Sequence, residues 1–185
     1  IFIDIGANQG CTSILASKVF SNNQNNGVVI SFEPSSFSFG LMERNIKLNK
    51  CNNIFAFNRA VSSKKLKLYL NENDKENSGA SHISEKGNPI IAGPIKVEDL
   101  RKITKNNDIF IKIDTEGYEM FVIEGLEELF KEKLVHKLLV EIDELNLIKY
   151  GSSSIELYNC LEKYGFKPII GLKKGHYDEV FIKKT

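Results

Sequence analysis

Apolar and polar positions along this chain switch repeatedly between a period of two and a period near 3.6. Ile1-Phe2-Ile3-Asp4-Ile5 is a β-branched run ended by Gly6 and predicts a strand. From Gly10 a helix is predicted, with Cys11, Ile14, Leu15 and Val19 on one stripe. Ser21–Gly27 is rich in Asn and Ser and reads as a loop. Val28–Glu33 is a second strand stopped by Pro34, and Phe37, Leu41, Ile46 and Leu48 mark a helix over Ser36–Lys50. Ile54–Phe57 is a third strand. Between Asn58 and Pro94 the regularity lapses. Lys65–Leu70 alternates like an exposed strand, and Asn71–Asn88 is polar and reads as a loop with a short strand at Ser81–Ser84. This stretch is expected to be an inserted hairpin or lid.

The alternation resumes with a short helix from Val97 to Thr104 and a strand over Ile109–Asp114. Tyr118, Phe121, Val122, Gly125, Leu126, Leu129 and Phe130 follow at amphipathic helical spacing. Leu138–Ile142 is a strand, and Ser152–Tyr164 a helix closed by Gly165. Phe166–Ile170 and Glu179–Ile182 are the last strands. Strands alternating with helices predict a parallel sheet covered on both faces, an α/β doubly wound fold. The link Gly171–Asp178 is too short for a helical crossover, so the last strand is expected to run antiparallel.

The chain has 185 residues, which predicts one domain with the 58–94 stretch inserted in it. With 25 Lys and Arg against 24 Asp and Glu, nothing suggests a nucleic-acid partner. No apolar run approaches a membrane span. Three widely spaced cysteines fit reduced thiols in a cytoplasmic protein, and no Cys-x-x-Cys pair suggests zinc. The chain opens at Ile1 inside a strand pattern, so it is expected to be a fragment that lacks its N-terminal part.

Three motifs end predicted parallel strands, where such sheets bind ligands. The first is Asp4-Ile5-Gly6-Ala7-Asn8-Gln9-Gly10. A dinucleotide fingerprint needs Gly at 6, 8 and 11, where the chain has Gly6, Asn8 and Cys11, so that pattern fails. The spacing suits a cofactor without phosphates; a plain tight turn is the bland alternative. The second is Phe32-Glu33-Pro34. A carboxylate at this distance from a glycine turn accepts hydrogen bonds from ribose hydroxyls, unless it only caps the next helix. The third is Ile113-Asp114-Thr115-Glu116-Gly117. Here Thr115 is expected to cap a helix that Glu116 and Glu119 favour, which leaves Asp114 unexplained.

Together with Asn58-Arg59-Ala60-Val61, and in this order, these motifs resemble the FkbM-type S-adenosylmethionine-dependent methyltransferases over essentially the whole chain. The resemblance implies a Rossmann-like class I methyltransferase fold, S-adenosyl-L-methionine as cofactor, and methylation of a hydroxyl on a sugar, glycan or secondary metabolite. It implies that Asp4, Gly6, Ala7, Asn8 and Gly10 surround the methionine part, that Glu33 holds the ribose, and that Asn58 and Ala60 lie near the adenine. Asp114 would face the methionine amino group or the acceptor. Cys11 stands where similar proteins often carry an aromatic or aliphatic residue.

Asp114, Glu116 and Glu141 are the candidates for proton transfer to or from the acceptor. The same three offer oxygen ligands to a hard cation, but no metal is assigned. Among the histidines, His82 lies in the insert, His136 reads as structural, and His176 belongs to the terminal hairpin. Two other classes stay open: a non-catalytic binding module on the same fold, and a nicotinamide-dependent oxidoreductase, against which the glycine spacing counts.

Overall fold

The computed structural model describes residues 1–22, 26–71, 82–84, 86–104 and 108–184. It is a mixed α/β fold whose main sheet has seven strands, mostly parallel, as the alternating pattern predicted. These strands are β1 (Phe2–Ile5), β2 (Val29–Phe32), β3 (Ile54–Phe57), β8 (Ile109–Ile113), β9 (Val135–Asp143), β10 (Phe166–Pro168) and β11 (His176–Lys183). Their order is β10-β11-β9-β8-β1-β2-β3. Contacts group the chain into two compact units, Ile1–Ala60 with Lys65–Ala92, and Val61–Lys64 with Gly93–Thr185.

In the first unit β1, β2 and β3 are parallel, with Ile5 opposite Phe32 and Phe32 opposite Phe57. β1 and β2 are buried throughout, as apolar strands covered on both faces must be. Helices α1 (Cys11–Asn22) and α2 (Ser36–Leu48) connect them. The stripe expected on α1 is corrected. Leu15 and Val19 are 65% and 49% exposed, and the buried residues are Ser13 and Ser17. The reason is polar. Ser13 Oγ donates to Asp4 Oδ2 at 2.6 Å and lies 2.8 Å from Ser31 Oγ, while Ser17 Oγ donates to Asn53. On α2 the buried residues are likewise Ser38 and Met42, and Phe37 and Leu48 face outward.

A smaller sheet takes the order β4-β7-β5-β6, from β4 (Ala60–Val61), β5 (Leu66–Asn71), β6 (His82–Ser84) and β7 (Asn88–Gly93). Strands β5 and β6 were expected, and β7 was not. Ala60, Leu70, Ile90 and Ala92 form its core, with Leu68 and Ile83 against them. Most of the loop expected between Asn71 and Asn88, and the side chain of His82, lie outside the described residues.

In the second unit β8 and β9 are parallel, and β11 pairs antiparallel with both β9 and β10, as the short link required. Here α3 (Val97–Ile103) precedes β8. The helix expected from Tyr118 to Phe130 is two, α4 (Glu119–Gly125) and α5 (Glu127–Lys131). They break where Gly125 packs on Ser62: a Cβ there would stand 2.7 Å from the Ser62 carbonyl oxygen. A further helix, α6 (Glu144–Lys149), was not foreseen; Asp143 caps it, accepting from Leu145 N–H and Asn146 N–H. Helix α7 (Ser154–Lys163) starts at Ser153 and ends at Gly165 with φ +83°. Among the described residues no helix is long and apolar enough to cross a membrane.

Candidate functional site

In the first unit the turn after β1 bends sharply, with Gly6 at φ +80°, Asn8 at +49° and Gly10 at +82°. The first and last of these conformations are open to glycine at little cost. The N–H groups of Gly6 and Ala7 both donate to Phe32 O, which ties the turn to the end of β2. A Cβ on Gly10 would meet Met42 Cγ at 2.7 Å, so α2 packs directly on the turn.

Glu33 follows β2 and is buried. Its Oε2 accepts from Asn8 N–H and its Oε1 from Ser35 N–H, both at 2.8 Å. The carboxylate is therefore held by two backbone donors from two segments, so its position is set before any ligand arrives. Asn58 Nδ2 donates to the carbonyls of Glu33 and Pro34, tying the end of β3 to the same place. Arg59 lies over the Phe32 ring, 5.0 Å from its centroid. Asn8 Oδ1 is buried with no hydrogen-bond partner among the described residues. A buried amide oxygen is costly to leave unpaired, and it is an acceptor ready for a ligand donor.

The other expected residues of this unit, Asp4, Ala7 and Ala60, are all buried. Asp4 lies fully buried beneath the turn, bonded to Ser13. The Ala60 side chain faces the core of the small sheet. Ala7 is buried and its carbonyl accepts from Gly10 N–H.

In the second unit the carboxylates of Asp114, Glu116 and Glu141 converge at the C-terminal ends of β8 and β9, with oxygens within 4.8 Å of one another. Three clustered carboxylates alone assign no metal. Lys112 Nζ lies 2.7 Å from Asp114 Oδ2. Glu116, at φ +55°, accepts from Asn146 Nδ2 at 3.2 Å. Burial, then Asp114 and Glu119, push the Glu116 carboxyl up.

Glu141 is the most displaced. Burial raises its pKa first, Asp114 and Glu116 raise it further, and it is pushed up to about 7. Its Oε1 lies 2.8 Å from Nε2 of His176. That histidine is missed by spacing arguments, because only the β9–β11 register brings it to the rim: His176 lies opposite Asp143, and Asp178 opposite Glu141. Glu141, followed by Asp143 and Asp178, raises the His176 pKa in return.

The capping role expected of Thr115 is corrected. α4 begins at Glu119, and Thr115 instead donates twice to Glu119 Oε1, from its N–H at 3.0 Å and its hydroxyl at 2.9 Å. Gly117 N–H adds a third bond at 3.1 Å. Glu119 is thus a buried strut that shapes the loop carrying Asp114 and Glu116. Its burial pushes its pKa up.

Residues 4–168 match the family model of the methyltransferase FkbM domain. Among solved structures, the methyltransferase FkbM from Methylobacillus flagellatus KT superposes with a TM-score of 0.60 at 17% identity, covering 98% of this chain and 42% of that one. The precorrin-6y C5,15-methyltransferase from Geobacter metallireducens GS-15 gives a TM-score of 0.54 at 14% identity, covering 98% and 79%. A SAM-dependent methyltransferase from Aquifex aeolicus gives 0.52 at 14%, covering 98% and 80%. At these identities the likeness concerns the fold. The chain spans less than half the length of the Methylobacillus protein. A comparison with the curated proteins finds no match.

Proposed function

The chain belongs to the FkbM methyltransferase family, and on that premise we propose that it transfers a methyl group from S-adenosylmethionine to a hydroxyl of a small molecule or glycan. The observation that carries this reading is the turn closed on Glu33. A buried carboxylate fixed by Asn8 N–H and Ser35 N–H, beside the unpaired Asn8 Oδ1, fits a ligand that brings vicinal hydroxyls and N–H donors. It does not fit a phosphate-binding turn, because an anion beside Glu33 would be repelled.

Glu33 would hold the ribose, and Gly6, Ala7, Asn8 and Gly10 would line the methionine part. The bound cofactor supplies a methyl group that is already strongly electrophilic. What remains for the protein is to position the acceptor oxygen and take its proton. Positioning alone can lower such a barrier by about 7–11 kcal/mol. In the second unit Glu141 suits the proton. A carboxylate with a pKa of about 7 is ionised often enough to act and basic enough to pull. Asp114, held by Lys112, stays available to a cationic amino group or to the acceptor.

Calorimetry with S-adenosylhomocysteine on the wild type and on Glu33→Ala tests the cofactor. Heat with the wild type that disappears in the variant supports the reading, and no heat with the wild type overturns it. Incubation with methyl-labelled cofactor and hydroxylated glycans then separates an enzyme from a binding module.

A further inference from the structure

The turn between β10 and β11 carries features that methyl transfer does not use. Ile169, Ile170 and Leu172 are 61%, 62% and 51% exposed. These side chains stand exposed on a backbone that is held from within. Glu179, fully buried in β11, accepts from Ile169 N–H at 3.2 Å and Ile170 N–H at 3.1 Å through Oε1, and from Gly171 N–H at 2.7 Å through Oε2. Val180 N–H and the Tyr158 hydroxyl complete the set. Five donors on one buried carboxylate lock three successive peptide units, so the aliphatic side chains project from a held frame.

The turn itself carries charge of one sign. Lys167, Lys173 and Lys174 are exposed, and residues 167–175 contain no Asp or Glu. Lys173 is steered by Tyr177, whose hydroxyl accepts its N–H at 3.1 Å and whose ring lies 5.7 Å from its Nζ. The acidic groups near this end of the strands, Asp114, Glu116, Glu141, Asp143 and Asp178, lie outside the turn.

We propose that this turn docks the protein on an anionic lipid surface. Three projecting aliphatic side chains give shallow insertion at the boundary between headgroups and acyl chains, and three flanking lysines meet the negative surface. An exposed apolar patch of this kind marks an interaction site, and the lysines select the anionic surface as its occupant. The docking does not depend on the methyl-transfer reading.

The test is co-sedimentation of the whole chain with phosphatidylcholine vesicles, with and without phosphatidylglycerol. Binding is expected only with phosphatidylglycerol and is expected to fade as salt is raised. Lys173→Glu with Lys174→Glu should weaken it by at least about fivefold per lysine. Ile170→Ser with Leu172→Ser should weaken it at least about tenfold. Both pairs are exposed, so unchanged thermal melting is the control for folding. The proposal is overturned if the wild type does not sediment with phosphatidylglycerol, if it sediments equally with phosphatidylcholine alone, or if the aliphatic variant binds like the wild type. Self-association that the aliphatic variant abolishes, without lipid binding, overturns it as well.

Discussion

His176 Nε2 lies 2.8 Å from Glu141 Oε1, joining two residues 35 positions apart on antiparallel strands. Each holds its proton to a higher pH than it would alone in water. For Glu141 the causes are burial, then Asp114 and Glu116, with His176 acting the other way; for His176 the cause is chiefly Glu141.

The sign of the pH effect follows. The Glu141 pKa rises from 4.5 to about 7 on folding, so the native state binds more protons than the unfolded chain between those values. Glu141's contribution to stability is complete below the unfolded value and is lost as pH rises through about 7. His176, also raised, acts in the same direction. Urea unfolding should therefore show wild-type stability falling as pH is raised across this interval, by at most about 1.4 kcal/mol per pH unit from Glu141. Glu141→Gln should flatten the dependence. A variant that keeps the wild-type slope refutes the assignment.

Glu33→Gln should weaken S-adenosylhomocysteine binding. An amide accepts through one end only, so either Asn8 N–H or Ser35 N–H loses its bond, and the charge is gone. Loss of a charge-assisted bond is worth about 1.5–3 kcal/mol, or roughly 10- to 150-fold in affinity by calorimetry. The melting temperature should also fall, because the turn loses a tie.

Asp114→Asn distinguishes two roles. If Asp114 meets the cofactor's amino group, affinity drops by roughly 10- to 150-fold. If it serves the acceptor, affinity holds and turnover falls by about 100-fold. We expect the first, since the ion pair with Lys112 at 2.7 Å shows Asp114 already set against one ammonium group. Wild-type affinity together with wild-type turnover would leave Asp114 only its ion pair with Lys112.

Gly117→Ala should be costly. Gly117 sits at φ +100°, and a Cβ there would stand 2.4 Å from the carbonyl oxygen of Asn146. Both the conformation and the contact must give, which costs about 1–3 kcal/mol for the backbone alone. Because Asn146 also bonds Glu116, the substitution should shift the rim as well as lower the urea midpoint. A midpoint equal to the wild type would show that the loop relaxes freely.

Periodicity made the frame legible. The apolar runs of β1, β2, β3 and β8 announce strands, Ile54–Phe57 with its bounds intact although Phe55 and Phe57 stay exposed, and the short link before β11 fixes its direction. What periodicity hid was polar packing. α1 buries Ser13 and Ser17 because Asp4 and Asn53 wait for them, and no apolar stripe can report that. The Tyr118–Phe130 pattern runs smoothly through Gly125, yet the helix is interrupted there, where Ser62 packs close. In the site, Asp114, Glu116 and Glu141 were readable as carboxylates ending strands. The pairing of His176 with Glu141 was not, since it depends on a strand register that no local motif encodes.

The clamp at Glu179 has a consequence for the lifetime of the folded chain. Lys173 and Lys174 are exposed bait for a lysine-selective protease, and loop tips are where such enzymes cut. A protease must draw several residues into an extended strand, but Ile169, Ile170 and Gly171 are tied to a carboxylate in the core. Cleavage on the N-terminal side of Lys173 must therefore wait for the hairpin to open, so its rate reports the opening equilibrium of β10 and β11 instead of surface accessibility.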